Sequence, residues 1–270
     1  MKQLFHIENN DNNHAPQAIS VRLGQRHACV SISGSFGEEL SRLDYYTTDE
    51  WNENTLTLLF DSYLELNNSF LEVLIAYDYP QVTMIPSAFY KEESKKLLLD
   101  TICGEQLHSH ILSESVAEWK LYTVYAVPGE VHDWLCKKYP SGKFWHGYSL
   151  DLKAINAANQ TGTVQIDIRS DDFSLLAVKE DKLLLAQTFL YTTPEDIAYY
   201  VLKICHQFAL PQRQVQLQLS GLIDKQSALY KELYQYFIHV SLRDAAWGEA
   251  GSEYPAHYFT SLNDLARCAS

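Results

Sequence analysis

Asp167 stands inside the run VQIDIRSDDFSLLAV, with Arg169 two residues on and Ser170-Asp171-Asp172 directly after it. A carboxylate where a strand is about to turn has two uses. It can bond the backbone of the adjacent turn, as Asp and Ser side chains do, or it can face a ligand beside the arginine, whose planar fork suits phosphate. Other residues have the right types for chemistry but lack convergent partners. His108-x-His110 in QLHSHIL puts two imidazoles on one strand face, but no Cys or acid stands at ligand spacing, so they read as surface histidines. Glu38-Glu39 and Glu92-Glu93 read as solvated faces, because acid–base work needs groups that converge across the fold. Ser220 precedes Gly221 without a G-x-S-x-G frame or an assignable His–Asp pair, which argues against a hydrolase nucleophile. No catalytic residue and no metal ligand set is assigned.

The 270 residues suffice for one large or two ordinary domains, and 46% hydrophobic against 20% charged residues gives material for a packed core. A formal charge of −13 argues against nucleic acid or an anionic membrane surface as the main partner. No apolar run is long enough to span a bilayer, and the start MKQLFHIENNDNNHAP has no signal-peptide core. Cys29, Cys103, Cys136, Cys205 and Cys268 are scattered without a C-x-x-C, which suits reduced thiols in a cytoplasm.

The elements around Asp167 follow from periodicity. Val164, Ile166 and Ile168 alternate with polar residues, the mark of a strand. Phe173 to Val178 is a second strand, and Leu183 to Leu190, a continuous apolar run, reads as a third strand covered on both faces. Thr193-Pro194-Glu195-Asp196 opens a helix with an N-cap, a proline at its first position and acids at its positive end. Ile197, Val201, Ile204 and Phe208 form one helical stripe. A strand over Val215 to Leu219, a helix from about Ser227 to Tyr236, a strand over Phe237 to Leu242 and a last helix over His257 to Cys268 complete this half.

The first half repeats the plan. Ile19 to Leu23 and Ala28 to Ser33 pair around Gly24-Gln25-Arg26-His27, and a third strand lies near Leu43 to Thr47. A helical stripe runs through Leu56, Leu59, Phe60, Tyr63 and Leu64, before a strand over Leu71 to Tyr77. Additional elements follow: a Val82 to Ile85 strand, a Glu92 to Cys103 helix, a Trp119 to Val127 strand, and helices near Glu130 to Lys138 and Leu150 to Ala158. The division this implies is a first lobe over 15–158, with an inserted subdomain at about 79–150, and a second lobe over 159–270 whose last helix can pack back on the first.

A duplicated β-β-β-α-β-α-β plan of this kind, α/β in class and ribonuclease H-like, resembles the actin-like ATPase superfamily: actin, Hsp70, sugar kinases, and bacterial division and pilus-assembly proteins. The residues that carry the resemblance are VQIDIRSDDFSLLAV, TPEDIAYYVLKICHQFAL and VQLQLSGL. VTMIPSAFY and PAHYFTSLNDLARC resemble an uncharacterised bacterial family of this fold, distantly similar to the pilus-assembly and type II secretion cytoplasmic components. The resemblance implies that an Asp-x-Gly at each first hairpin flanks nucleotide phosphates, with carboxylates on magnesium and its waters, and that a glycine pair at a later strand end packs adenosine.

This chain departs from that pattern in three places. Arg169 replaces the glycine after Asp167, Arg22 replaces the acid before Gly24, and Ser220-Gly221 replaces the glycine pair. The resemblance therefore implies that Arg22, Gly24, Asp167, Arg169, Ser170, Ser220 and Gly221 are the candidate remnant of a nucleotide cleft, with no cofactor expected. The expected role is a non-catalytic interaction or scaffold protein. The alternative is an ATP-binding switch, ATPase or kinase that uses ATP and magnesium with atypical arginines. A third reading is a small-molecule binder. Phe144, Trp145 and Tyr148 in KFWHGY are either core or an aromatic anchor for a protein partner. A protein partner is expected, with a homo-dimer left open and neither nucleic acid nor membrane insertion implied.

Overall fold

The computed structural model describes residues 1–9, 17–34, 37, 39–61, 70–156, 158–247 and 254–267. Two compact units divide the chain: Met1–Lys153 with Leu262–Ser270, and Ala154–Ser261.

The first unit opens with β1 (Lys2–Glu8), β2 (Gln17–Leu23), β3 (His27–Gly34) and β4 (Leu40–Thr47), then α1 (Glu53–Asp61) and β5 (Glu72–Tyr77). After these come β6 (Val82–Pro86), α2 (Lys95–Cys103), β7 (Ser109–Val116), β8 (Leu121–Pro128), α3 (Gly129–Lys138), β9 (Lys143–His146) and α4 (Gly147–Ala154). The main sheet has the order β1-β4-β3-β2-β5-β9. Strands β2, β3 and β4 form an antiparallel meander, and β5 and β9 add to it in parallel. Parallel neighbours need a crossover, which α1 and α3 supply. Strands β6, β8 and β7 make a separate antiparallel sheet between β5 and α3, with α2 against it.

The second unit runs β10 (Thr163–Ile168), β11 (Asp172–Lys179), β12 (Lys182–Leu190), α5 (Pro194–Gln207), β13 (Gln216–Gly221), α6 (Ala228–Tyr236) and β14 (His239–Leu242). Its sheet order is β12-β11-β10-β13-β14, with β13 and β14 parallel to β10. Without β1, the first sheet is the same arrangement. Register makes the match residue by residue. Leu23 pairs with Ala28 and Tyr77, as Ile168 pairs with Phe173 and Gly221. The turn bonds agree as well: Gly24 N donates to His27 O at 3.0 Å and Arg169 N to Asp172 O at 2.9 Å. Arg22 therefore corresponds to Asp167, and Gly24 to Arg169.

Each unit has its own core. Val164, Ile166 and Ile168 meet Ile197, Val201 and Ile204 of α5 and Leu229 and Leu233 of α6. In the first unit Val21 and Leu23 lie in one cluster with Leu56, Leu59 and Phe60 of α1 and Val131 and Leu135 of α3. Helix α5 starts as its residues require, with Thr193 N donating to Asp196 Oδ2 at 2.9 Å. Helix α7 (Thr260–Arg267) brings Asn263 Nδ2 to Gly37 O at 3.3 Å. A Cβ on Gly37, whose φ is +66°, would lie 2.9 Å from Ala266 Cβ.

Several expectations need correction. Leu183 to Leu190 is not covered on both faces: β12 is a half-exposed edge strand, and Leu190 is 71% exposed. A continuous apolar run cannot by itself distinguish an edge from a buried strand. His108 and His110 do not share a strand face, because His108 sits in a turn at φ 55° and β7 starts after it. The Trp119 strand begins instead at Leu121, after a 3-10 turn over Ala117–Trp119. The helix from Glu92 is a 3-10 turn followed by α2, and the helix read at Leu150 starts at Gly147 and ends at Ala154. Glu38, Tyr63, Leu64 and Cys268 lie outside the described residues. Among the described residues Cys29, Cys103, Cys136 and Cys205 form no disulfide. Among the described residues no helix is long and apolar enough to cross a membrane.

Strand β1 was not read from the sequence, and a buried acid explains why it docks. Asp44 of β4 is fully buried and accepts from Gln3 Nε2 at 2.6 Å and Arg42 Nε at 2.8 Å, while His6 Nδ1 lies 2.7 Å away. Asp44→Ala leaves Arg42 and Gln3 without their acceptor and is expected to lower stability by about 2–4 kcal/mol. Denaturant melts would show the loss, and hydrogen exchange would show it concentrated in β1.

Candidate functional site

The residues singled out by type gather at the carboxyl ends of the central strands of each unit, where α/β sheets commonly place ligands. In the first unit Arg22 is the last residue but one of β2 and is buried. Its Nε donates to Asp78 Oδ2 at 2.9 Å and its Nη2 to Asp78 Oδ1, a two-pronged grip. Asp78 directly follows β5, the parallel neighbour of β2, so the sheet itself sets the pair face to face. His27, buried at the start of β3, puts Nε2 3.2 Å from Asp78 Oδ2. The same imidazole lies over Gly24, where a Cβ would come within 2.1 Å of its Cε1. Glycine at position 24 thus makes room for a side chain of its own hairpin.

Helix α4 closes over this pair. A Cβ at Gly147 would lie 2.2 Å from Asp78 Oδ1 and 2.8 Å from Arg22 Nη2. The strand before it is anchored by His146, whose Nε2 donates to Tyr79 O at 2.9 Å while its Nδ1 accepts from Tyr148 N at 3.2 Å. Glu114 of β7 accepts from His146 N at 2.7 Å. Burial pushes the Glu114 carboxyl up to about 7, against the opposing pull of Ser149, the His146 amide and the Lys153 charge.

In the second unit Asp167 and Arg169 are both buried, with the charges in the reverse order. Asp167 Oδ1 accepts from Ser220 Oγ at 2.8 Å, across the parallel pair that sets Asp167 beside Ser220. Arg169 Nη1 lies 3.5 Å from Asp167 Oδ2 and from Ser174 Oγ, and its Nε donates to Asp172 Oδ1. Tyr191 OH donates to Arg169 O at 2.7 Å, so the backbone at this point is held too. Gly221 is required by the chain itself: its φ is +81°, and a Cβ would lie 2.1 Å from Ile168 O. Ser170 stays exposed at the hairpin tip.

The predicted residues therefore form two internal networks: Arg22 and Gly24 in one unit, and Asp167, Arg169, Ser220 and Gly221 in the other. Asp78, His27, Asp172, Gly147 and Glu114 were not singled out from the sequence. Asp78 escaped notice because its partner Arg22 is 56 residues away. Phe144 is half-buried with its ring parallel to Tyr77, Tyr148 is buried with its ring 5.3 Å from His146, and Trp145 is half-buried. His110 binds Asp133 at the surface, at 2.8 Å. Among the described residues no three His, Cys, Asp or Glu side chains gather as a metal site. An open depression of about 1190 Å³ in the second unit is lined by Ser227, Tyr230, Leu242, Asp244, Tyr254 and His257.

The fold with these paired strand ends is the actin-like ATPase fold. The chain is similar across 93% of its length, and 96% of the other chain, to a Bacteroides thetaiotaomicron protein with an actin-like ATPase fold and unknown function, at a TM-score of 0.79 and 19% identity. PilM in the PilM–PilN type IV pilus biogenesis complex matches over 92% of this chain and 97% of its own, at 0.61 and 13%. The ethanolamine utilization protein EutJ from Carboxydothermus hydrogenoformans matches over 95% and 91%, at 0.53 and 7%. No curated protein sequence matches. Residues 8–240 match the family described as protein of unknown function (DUF3822), and the chain belongs to that family.

Two measurements probe this site. Gly147→Ala is expected to destabilise by about 1–3 kcal/mol through overlap with the Arg22–Asp78 pair, seen as a lower denaturation midpoint. Glu114 has a folded pKa of about 7, above the unfolded carboxyl range, so the folded chain holds that proton more tightly. Stability should then fall as pH rises from about 4.3 to about 7, by up to ~3 kcal/mol, and level off beyond. Glu114→Gln, which keeps the acceptor for His146 N, should flatten that slope and be more stable than the parent at pH 8.

Proposed function

We propose that this chain is a cytoplasmic actin-like protein that acts through protein contacts, with its nucleotide site closed by its own side chains. The observation that carries this reading is that both arginines at the phosphate positions are engaged by carboxylates of their own unit, the buried Asp78 in one and the half-buried Asp172 beside the buried Asp167 in the other. Arg22 grips Asp78, and Arg169 is held by Asp172 beside Asp167. An incoming phosphate would have to displace a tethered carboxylate whose effective concentration is of order millimolar or higher. It would also leave that carboxylate buried without its counter-charge. The carboxylate that the family pattern assigns to magnesium, Asp167, accepts from Ser220 instead, and its counterpart in the first unit is a cation.

Hydrolysis finds equally little support. Phosphoryl transfer relies on positioning and on stabilising charge, and the hairpin backbones that should approach phosphate carry the His27 ring in one unit and the Arg169 side chain in the other. The protein-contact half of the reading draws on PilM, which is solved in complex with PilN. Trp145 keeps part of its surface beside Phe144 and Tyr148, and an amphipathic aromatic of that kind suits a partner contact.

Calorimetry and thermal melts with Mg-ATP test the proposal. No heat of binding and no shift in melting are expected. Binding with a dissociation constant one hundredth of the ligand concentration would add about 2.7 kcal/mol of apparent stability, and its loss in Asp167→Ala would favour the ATP-binding switch instead.

A further inference from the structure

The apolar run of β12 exceeds what an edge strand needs. β12 has β11 on one side and, among the described residues, no strand on the other. After Lys182 the strand LLLAQTFL carries no charge and no proline, the devices by which natural edges repel a second strand. A bulge disturbs the ladder near Leu183 to Leu185, and from Leu185 to Leu190 the pairing with β11 is regular. Leu184, Leu185 and Phe189 pack only partly against the core.

The first unit shows what this position of the fold accepts. Its equivalent strand, β4, is covered along its outer edge by β1 in antiparallel register, from Lys2 opposite Thr47 to Glu8 opposite Arg42. We propose that the β12 edge also takes an antiparallel strand, and that this strand is β12 of a second copy of the chain. Pairing the strand with itself, about a twofold axis through Gln187 and normal to the sheet, sets Leu185 against Phe189 and Leu184 against Leu190. Apolar residues then face apolar residues, no like charges oppose each other, and Lys182 falls outside the paired run. Such an isologous contact closes on itself and makes a dimer rather than a filament. The formal charge of −13 on each copy opposes association, so added salt should strengthen it. This inference does not depend on the state of the nucleotide site.

Sedimentation velocity on the full chain, from micromolar to high-micromolar concentration and at low and moderate salt, is the test. The expected result is a monomer that becomes a dimer with concentration, more readily in salt. Gln187→Lys, an exposed position on the axis that would oppose its own copy, should raise the dimer dissociation constant by about tenfold or more. Gln207→Lys makes the same charge change in α5, away from the edge, and should leave the dimer intact. If Gln187→Lys melts early, Leu190→Glu at the exposed strand end takes its place. Hydrogen exchange in β12 should slow with concentration in the parent chain but not in Gln187→Lys. A chain that stays monomeric throughout, or a dimer indifferent to the edge substitutions, overturns the proposal. So does a monomer whose β12 amides are already protected, because a segment of the same chain would then cover the edge.

Discussion

The ends of the central strands are governed by one constraint: a buried guanidinium must meet a carboxylate within hydrogen-bonding reach. Arg22 and Arg169 are each almost fully buried, and each is answered inside its own unit. Local backbone choices follow from that requirement. Gly24 accommodates the imidazole that shares Asp78 with Arg22, and Gly147 lets α4 start directly over the ion pair. In the second unit Ser220 and Asp172 stand where they can hold Asp167 and Arg169 respectively. Gly24 and Ser220, both noted from the sequence, thus answer to neighbours within the chain.

The two units share a topology and a register but solve this constraint with opposite charge order. In the first, the strand residue is the cation and the acid comes from the neighbouring parallel strand's end. In the second, the strand residue is the acid and the cation sits in the following turn. The likeness to actin-like structures establishes the fold, because the identities are low, and fold alone does not fix chemistry.

Much of the skeleton was legible in local patterns. Val164 to Ile168 and Phe173 to Val178 alternate or run apolar between turn residues, and Thr193-Pro194 announces α5, so these elements lie where periodicity and capping put them. What escaped is non-local or short. β1 is largely exposed and docks through Asp44, 38 residues beyond His6, while β9 spans only four residues, two of them aromatic. β12 was misjudged because a run of leucines reports hydrophobicity and not which neighbour supplies the cover. At the site, Arg22, Asp167 and Arg169 were visible from their places in strand and turn, but their partners were less so. The link between Arg22 and Asp78 exists only after two strands come together side by side.

The Arg22–Asp78 pair also limits how the sequence can drift. An acid at position 22 alone would meet Asp78 at the same buried spot, and one carboxyl would have to keep a proton at neutral pH. An uncharged residue at position 78 alone would strand the guanidinium. Position 22 and position 78 are therefore free to change only together, and every single-step route between an arginine and an aspartate at the first hairpin passes through a less stable chain.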